Sequence, residues 1–240
     1  MVPAINDHKT KQQESLFAAT ENLVVSKEWR ELPDERRYNG TGGAGNYLED
    51  QLGVQAGNMD IADTLGWELK WYTPKTNLLT LFHQQVTGPP DVMLSMVRKY
   101  GRKDVQGRMS LRHTIKGKLD KFRTYNDSNR LIVRPAGGNG VIPYWTHDEL
   151  MAAAGAKLRR LIMVRGEKDG RKIRFTRADA YENFHLADFI WEIMSGTIAI
   201  DFDVRAYVPG SKRLHNHGTK FRVPPYAVCR LYLKKDRIAG

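Results

Sequence analysis

The sequence predicts a mixed α/β protein in which helices and strands follow one another irregularly. Three observations carry that expectation. Apolar residues recur at helical spacing in 9–24 and 46–52, and again in 91–100, 147–155 and 185–195. Short alternating segments of strand type lie between and after them, most densely in the last quarter. The two kinds do not alternate with the regularity of a doubly wound fold, and no internal repeat or low-complexity tract is present.

The elements follow in order. Residues 9–24 place Leu16, Ala19 and Leu23 on one helical face. A polar, basic connector over 33–37 leads to a glycine-rich entry, 40–45, and a short helix over 46–52. Leu48 and Leu52 give that helix its apolar stripe, and Gly53 ends it. Segments 67–72 and 78–83 read as consecutive strands, followed by a helix over 91–100 closed by Gly101. Thr146 with Glu149 forms a capping box for a helix over 147–155. Segments 158–164 and 172–176 read as a hairpin around Asp169 and Gly170. An amphipathic helix over 185–195 precedes strands at 197–207, 220–223 and 226–234, with Cys229 expected to pack inside the last.

A chain of 240 residues suffices for one large domain or two intimate lobes, with a substantial core. No apolar run approaches the roughly 20 residues needed to span a bilayer. Residues 1–11 lack the apolar centre of a signal peptide, so a cytoplasmic protein with no membrane partner is expected. The single cysteine excludes an intramolecular disulfide and a cysteine-rich zinc site. A net charge of +11 and a pI near 9.7 point to a polyanionic partner. The charge concentrates between Arg98 and Arg134, where twelve Lys/Arg face only three Asp. That stretch is either a solvated basic surface or a phosphate-tracking one.

The chemistry-bearing segment is 57–72. In a strand, Trp67, Leu69 and Trp71 point one way, and Glu68, Lys70 and Tyr72 the other. Asp63 approaches the same place from the preceding loop. Two carboxylates and a lysine suit phosphodiester hydrolysis: Asp63 and Glu68 would hold Mg²⁺ through hard oxygens, and Lys70 would orient water and offset developing charge. The competing reading of Glu68 and Lys70 is a same-face salt bridge. Asp60 competes with Asp63 for the carboxylate role, and His83 is either a polar strand-end residue or a phosphate contact.

Near the C-terminus, Ile198, Ile200, Phe202 and Val204 alternate with Asp201, Asp203 and Arg205. His215, His217 and Arg222 follow. The cluster admits three readings: a metal pair of His215 and His217 with Asp203, a solvated hairpin face, or base readout by Asp203, Arg205, His215, His217 and Arg222.

Gly42, Gly45, Leu48 and Glu49, followed by Asp63, Glu68 and Lys70, resemble the MvaI/BcnI family of restriction endonucleases and the related MutH mismatch-repair nicking endonuclease. The strand at 78–82 fits that family's second core strand. The C-terminal sequence of Asp203, Arg205, His215, His217, Gly218, Thr219, Phe221 and Arg222 resembles its recognition region. The resemblance implies a restriction-endonuclease-like core of PD-(D/E)xK type, a mixed sheet flanked by helices. It implies a catalytic centre of Glu49, Asp63, Glu68 and Lys70, with Asp63 and Glu68 on Mg²⁺. Residues 1–240 would be a single nuclease domain, about 36–140 mainly catalytic and about 141–240 mainly DNA-recognising. A monomer cutting double-stranded DNA at a short C/G-rich, CCNGG-like site is implied, with a cognate DNA methyltransferase as a genetic partner. A nicking enzyme needing an activating partner and a DNA-binding module without catalysis remain alternatives.

Overall fold

The computed structural model describes residues 4–54, 66–118, 121–138, 140–216 and 218–240. In chain order the first elements are α1 (Ala4–Val25), β1 (Arg30–Glu31), α2 (Gly43–Gln51), β2 (Glu68–Tyr72), β3 (Leu79–His83) and α3 (Val92–Tyr100). Then come β4 (Arg102–Lys103), β5 (Met109–Ile115), β6 (Phe122–Asp127), β7 (Arg130–Pro135), β8 (Tyr144–Thr146) and α4 (His147–Leu158). The chain ends with β9 (Arg160–Asp169), β10 (Lys172–Phe184), α5 (Phe189–Met194), β11 (Ala199–Ala206), β12 (Leu214–Asn216), β13 (Lys220–Val223) and β14 (Tyr232–Ala239). Among the described residues no helix is long and apolar enough to cross a membrane.

The chain forms two compact units, Met1–Asn77 with Gly155–Phe184 and Tyr232–Gly240, and Leu78–Ala154 with His185–Leu231. They are interleaved along the sequence rather than divided at one boundary near residue 140.

The first unit is built on a mixed sheet in the order β1-β10-β9-β2, with β14 also pairing β10. Among the described residues only β2 and β9 run parallel in it; the other pairs are antiparallel. β10 is long enough to serve two partners, β1 along its start and β14 along its end. One face buries Trp67, Leu69, Ile162, Val164 and Phe175 against Leu16, Leu23 and Val24 of α1 and Ala44 and Leu48 of α2. Phe17 meets the Trp67 ring edge-on at 5.2 Å. The period of two in β2 therefore leaves Glu68 and Lys70 on the opposite face, as the alternation predicts.

The second unit carries an antiparallel sheet in the order β3-β13-β11-β5-β4, with β12 pairing β11, and a three-stranded sheet β6-β7-β8. Its aromatic centre stacks Phe82 on Phe221 at 5.0 Å, with Trp145 edge-on to Phe221 at 5.6 Å.

Three expectations are corrected. Residues 225–231 coil into a 3₁₀ helix, and the last strand begins only at Tyr232. Pro224 and Pro225 cause this, because two prolines remove ladder donors and fix φ near helical values. Ala227, Val228 and Leu231 then point inward, which leaves Cys229 exposed rather than packed inside. The helix expected over 185–195 splits into a 3₁₀ turn, Leu186–Asp188, and the short α5. The basic stretch 98–134 contains β4 to β7, whose buried residues are Leu111, Ile115, Phe122 and Leu131–Val133.

Candidate active site and nucleic-acid interface

β2 is held in place by β9, with Glu68 level with Leu161 and Lys70 level with Met163. Glu68 is buried, its side chain 3% exposed, whereas Lys70 retains 21%. Lys70 Nζ donates to Glu68 Oε1. A second ammonium, Lys157 in the last turn of α4, lies 3.7 Å from Oε2 and is itself 18% exposed. Burying a carboxylate is costly unless cations and donors compensate it. Here one cation reaches it along its own strand and another from the helix that leads into β9.

Tyr232, at the start of β14, packs its ring against Tyr181 at 5.5 Å and Phe184 at 5.4 Å. Burial first, then the charges of Glu68 and Tyr181, pushes its phenol well above the ordinary value. Tyr232 is thus a neutral hydroxyl within the field of Glu68.

The same face continues across the sheet. Met163, opposite Lys70, pairs with Asp179, which pairs with Arg237. Asp179 is 3% exposed and accepts from Arg177 Nε at 2.7 Å and Arg237 Nε at 2.8 Å. Burial raises its carboxyl, but the hydrogen bonds from Arg177 and Arg237 outweigh that and hold it below the usual range. Tyr72 is raised by burial and by Asp179.

α2 packs on β2 and presents Glu49 half-buried, one position after Leu48 in the core. Asp63, its competitor Asp60, and His217 lie outside the described residues. Among the described residues no three His, Cys, Asp or Glu side chains cluster in a metal-binding arrangement.

In the second unit, β11 buries Ile200, Phe202 and Val204 and turns Asp201, Asp203 and Arg205 to its other face. Asp203 accepts from Lys220 Nζ at 2.9 Å and lies 3.4 Å from Arg112 Nε on β5. Arg205 is level with Ser110 on one side and His215 on the other. His215 meets the Tyr207 ring edge-on at 5.5 Å. Arg222 donates to Asp201 Oδ2 and to the Leu78 carbonyl, both at 2.8 Å. The structure therefore gathers Asp203, Arg205 and His215 on one sheet, and ties Arg222 down through Asp201. His83, at the end of β3, is level with Lys220 and packs against Gly218, whose φ of +83° suits glycine.

Sequence reasoning missed Lys157, Tyr232, Arg112 and Lys220. Lys157 and Tyr232 lie far from Glu68 in sequence and share no motif with it. Arg112 is level with Asp203 and Lys220 with Asp201, a relation that needs the register.

The family model of the MvaI/BcnI restriction endonuclease family matches residues 22–232. The structure is similar to that of the restriction endonuclease MvaI in complex with cognate DNA. The TM-score is 0.74 at 24% identity, covering 94% of this chain and 97% of that one. It is also similar to MvaI in the absence of DNA, with a TM-score of 0.53 at 24% identity over 95% and 97% of the two chains. No curated protein matches the sequence.

Proposed function

Because the chain belongs to the MvaI/BcnI restriction endonuclease family, we propose that it hydrolyses double-stranded DNA in a Mg²⁺-dependent reaction at a short C/G-rich, CCNGG-like site. Membership of that family makes it a type II site-specific deoxyribonuclease; the metal, the site and the residue roles are the proposed part. The observation that carries the catalytic assignment is the buried Glu68 carboxylate flanked by Lys70 and Lys157 on a strand fixed by a parallel partner.

The donor chemistry fits a hard divalent cation. Glu68 offers carboxylate oxygens, the ligand type Mg²⁺ prefers, and Asp63 would supply the second carboxylate. When bound, Mg²⁺ supplies Lewis-acid polarisation of the phosphate and a more acidic bound water. Glu68 holds its position through both cations and orients the metal side of the site. Lys70, the more exposed of the pair, turns its remaining N–H donors toward the attacking water and the charge gathering on phosphate. Glu49, on the adjacent helix, fills the fourth position. Asp203, Arg205, His215, His217 and Arg222 read bases, while the cations of β4 to β7 track phosphates without sequence preference. The enzyme acts as a monomer, and a cognate methyltransferase protects the host's own sites.

Digestion of unmethylated plasmid of known sequence, with Mg²⁺ and with chelator, followed by sequencing of the ends, tests the whole reading. Discrete ends at one C/G-rich site are expected with Mg²⁺ alone. Glu68→Ala and Lys70→Ala should abolish cleavage and leave duplex binding largely intact; unchanged cleavage by either sinks the mechanism. Rapid cutting of both strands of a site by the isolated protein would exclude a nicking enzyme that needs an activating partner.

A further inference from the structure

The sheet face that carries Glu68 and Lys70 also gathers cations beyond them. Tyr72, two residues after Lys70, is level with Arg165 on β9, and Arg165 is level with Arg177 on β10. Asp179 and Tyr181 then pair with Arg237 and Lys235 on β14. All of these residues belong to the first unit. We infer that Arg165 and Tyr72 form a phosphate-binding subsite that holds the DNA phosphate next to the scissile one. The inference rests on the assignment of Glu68 and Lys70 as the catalytic pair and extends that site by one nucleotide.

A break in the strand pattern builds the patch. On β10 Phe175 faces the core, and simple alternation would send Arg177 the same way. The register between β9 and β10 instead shifts between Phe175 and Arg177. Thr176 is the extra residue of this bulge, and core contacts resume at Ala178 and Ala180. Arg177 and Asp179 are thereby turned onto the face of Lys70. Thr176 Oγ1 donates to the Arg165 carbonyl at 3.3 Å, so the bulge also holds the backbone of Arg165.

The charge balance leaves Arg165 available to a ligand. Around Tyr72 and Asp179 the described residues place four cations, Arg165, Arg177, Arg237 and Lys235, against the one carboxylate of Asp179. Arg177 and Arg237 already donate to Asp179, and Lys235 lies 3.9 Å from it. Glu167, the next residue of β9 on this face, is held by Arg174 at 2.7 and 2.9 Å. Arg165 is exposed and makes no ion pair among the described residues. Its guanidinium fork matches two phosphate oxygens. Tyr72 is partly exposed, and burial, then Asp179, raises its phenol, so it presents a neutral hydroxyl that can donate. Lys70 and Tyr72 lie about 6.7 Å apart along the strand, close to the step between successive phosphates of one DNA strand. A phosphate beside the scissile one would therefore meet Arg165 and Tyr72 while Lys70 attends the reacting one.

The test pairs protein variants with duplexes of the cleaved site in which one phosphate of the cut strand at a time is replaced by an uncharged methylphosphonate. Duplex affinity of the full chain is measured in chelator, where no cleavage occurs. Arg165→Ala should weaken binding of the unmodified duplex about 5- to 10-fold, and Tyr72→Phe about 2- to 5-fold. Neutralising one phosphate beside the scissile one should weaken wild type about as much as Arg165→Ala does, and should weaken Arg165→Ala no further. The salt dependence of Arg165→Ala should be shallower by about 0.9 in log–log slope, the share of one phosphate. Lys168→Ala removes an exposed cation from the other face of β9 and should leave affinity and slope unchanged. Additive effects at both neighbouring phosphates overturn the inference. So does coupling confined to a phosphate more than two positions from the cut, or a Lys168→Ala loss equal to that of Arg165→Ala. Failure of the catalytic assignment is read separately, as unchanged cleavage by Glu68→Ala, because the binding measurements in chelator do not depend on catalysis.

Discussion

Replacing Lys157 by methionine keeps most of its buried stem and removes only the ammonium. That ammonium lies 3.7 Å from Glu68 Oε2, and both side chains are largely buried. Coulomb's law at an effective dielectric of about 20 gives an attraction on the order of 4 kcal/mol at this separation. Lys70 still engages Oε1, so the carboxylate retains one cation and loses the other. Only part of the gross attraction therefore reaches the reaction. Removing a group that orients a metal-ligand residue typically costs about 10- to 100-fold in activity, or about 1.4 to 2.7 kcal/mol. The assay is single-turnover cleavage at saturating enzyme across a Mg²⁺ series, beside duplex binding without metal and thermal melting. The expected result is a rate 10- to 100-fold lower with duplex binding unchanged, and partial recovery in Lys157→Arg. A cleavage rate within about twofold of wild type, in a folded variant, would refute the idea that Lys157 positions Glu68.

The other predictions concern stability and readout. Asp179→Ala leaves Arg177 and Arg237 facing each other without their shared acceptor and should cost about 1 to 3 kcal/mol, read from urea unfolding. Because the folded Asp179 carboxyl is held below its ordinary value of 3.8, its contribution is present above that pH and fades as pH falls through the lower folded value. Acid titration of wild type should show that loss below about pH 4, and the variant should lack this component; a parallel acid profile would count against it. Arg222→Ala should lower stability by about 1 to 3 kcal/mol as well as weaken site discrimination, since Asp201 and the Leu78 carbonyl both lose a donor. A melting temperature equal to wild type would make Arg222 a purely DNA-facing residue. Thr146→Ala should cost about 1 kcal/mol by opening the cap of α4, measured by chemical denaturation.

The legible parts of the fold were those governed by local rules. The β2 alternation of Trp67, Leu69 and Trp71 with Glu68 and Lys70 needs only a period of two, and the structure repeats it. The Thr146–Glu149 box opens α4, with Thr146 Oγ1 accepting from the Glu149 N–H and donating to its carboxylate. The 3₁₀ helix at 225–231 is hidden because Tyr226, Val228 and Leu231 look like strand residues, and only Pro224 and Pro225 speak against a strand. The strands of 98–134 were hidden because their cations mask a sparse apolar pattern. At the site, Glu68 and Lys70 were readable from one strand. Lys157, Tyr232 and the Arg112–Asp203–Lys220 cluster are not, because only tertiary pairing brings them together.

The pairing of β2 with β9 fixes an order of events during synthesis. Glu68 emerges from the ribosome early, but its parallel partner Leu161 and its second lysine, Lys157, come much later. Tyr232, whose hydroxyl lies in the field of Glu68, comes later still, after β10 and β13. Until then the nascent chain holds the acidic and basic pair on a strand without a neighbour, where no rigid geometry exists. Glu68 and Lys70 therefore gain their rigid setting only after α4 and β9 have been made. Truncated products of interrupted translation carry Glu68 and Lys70 but lack the scaffold that aligns them.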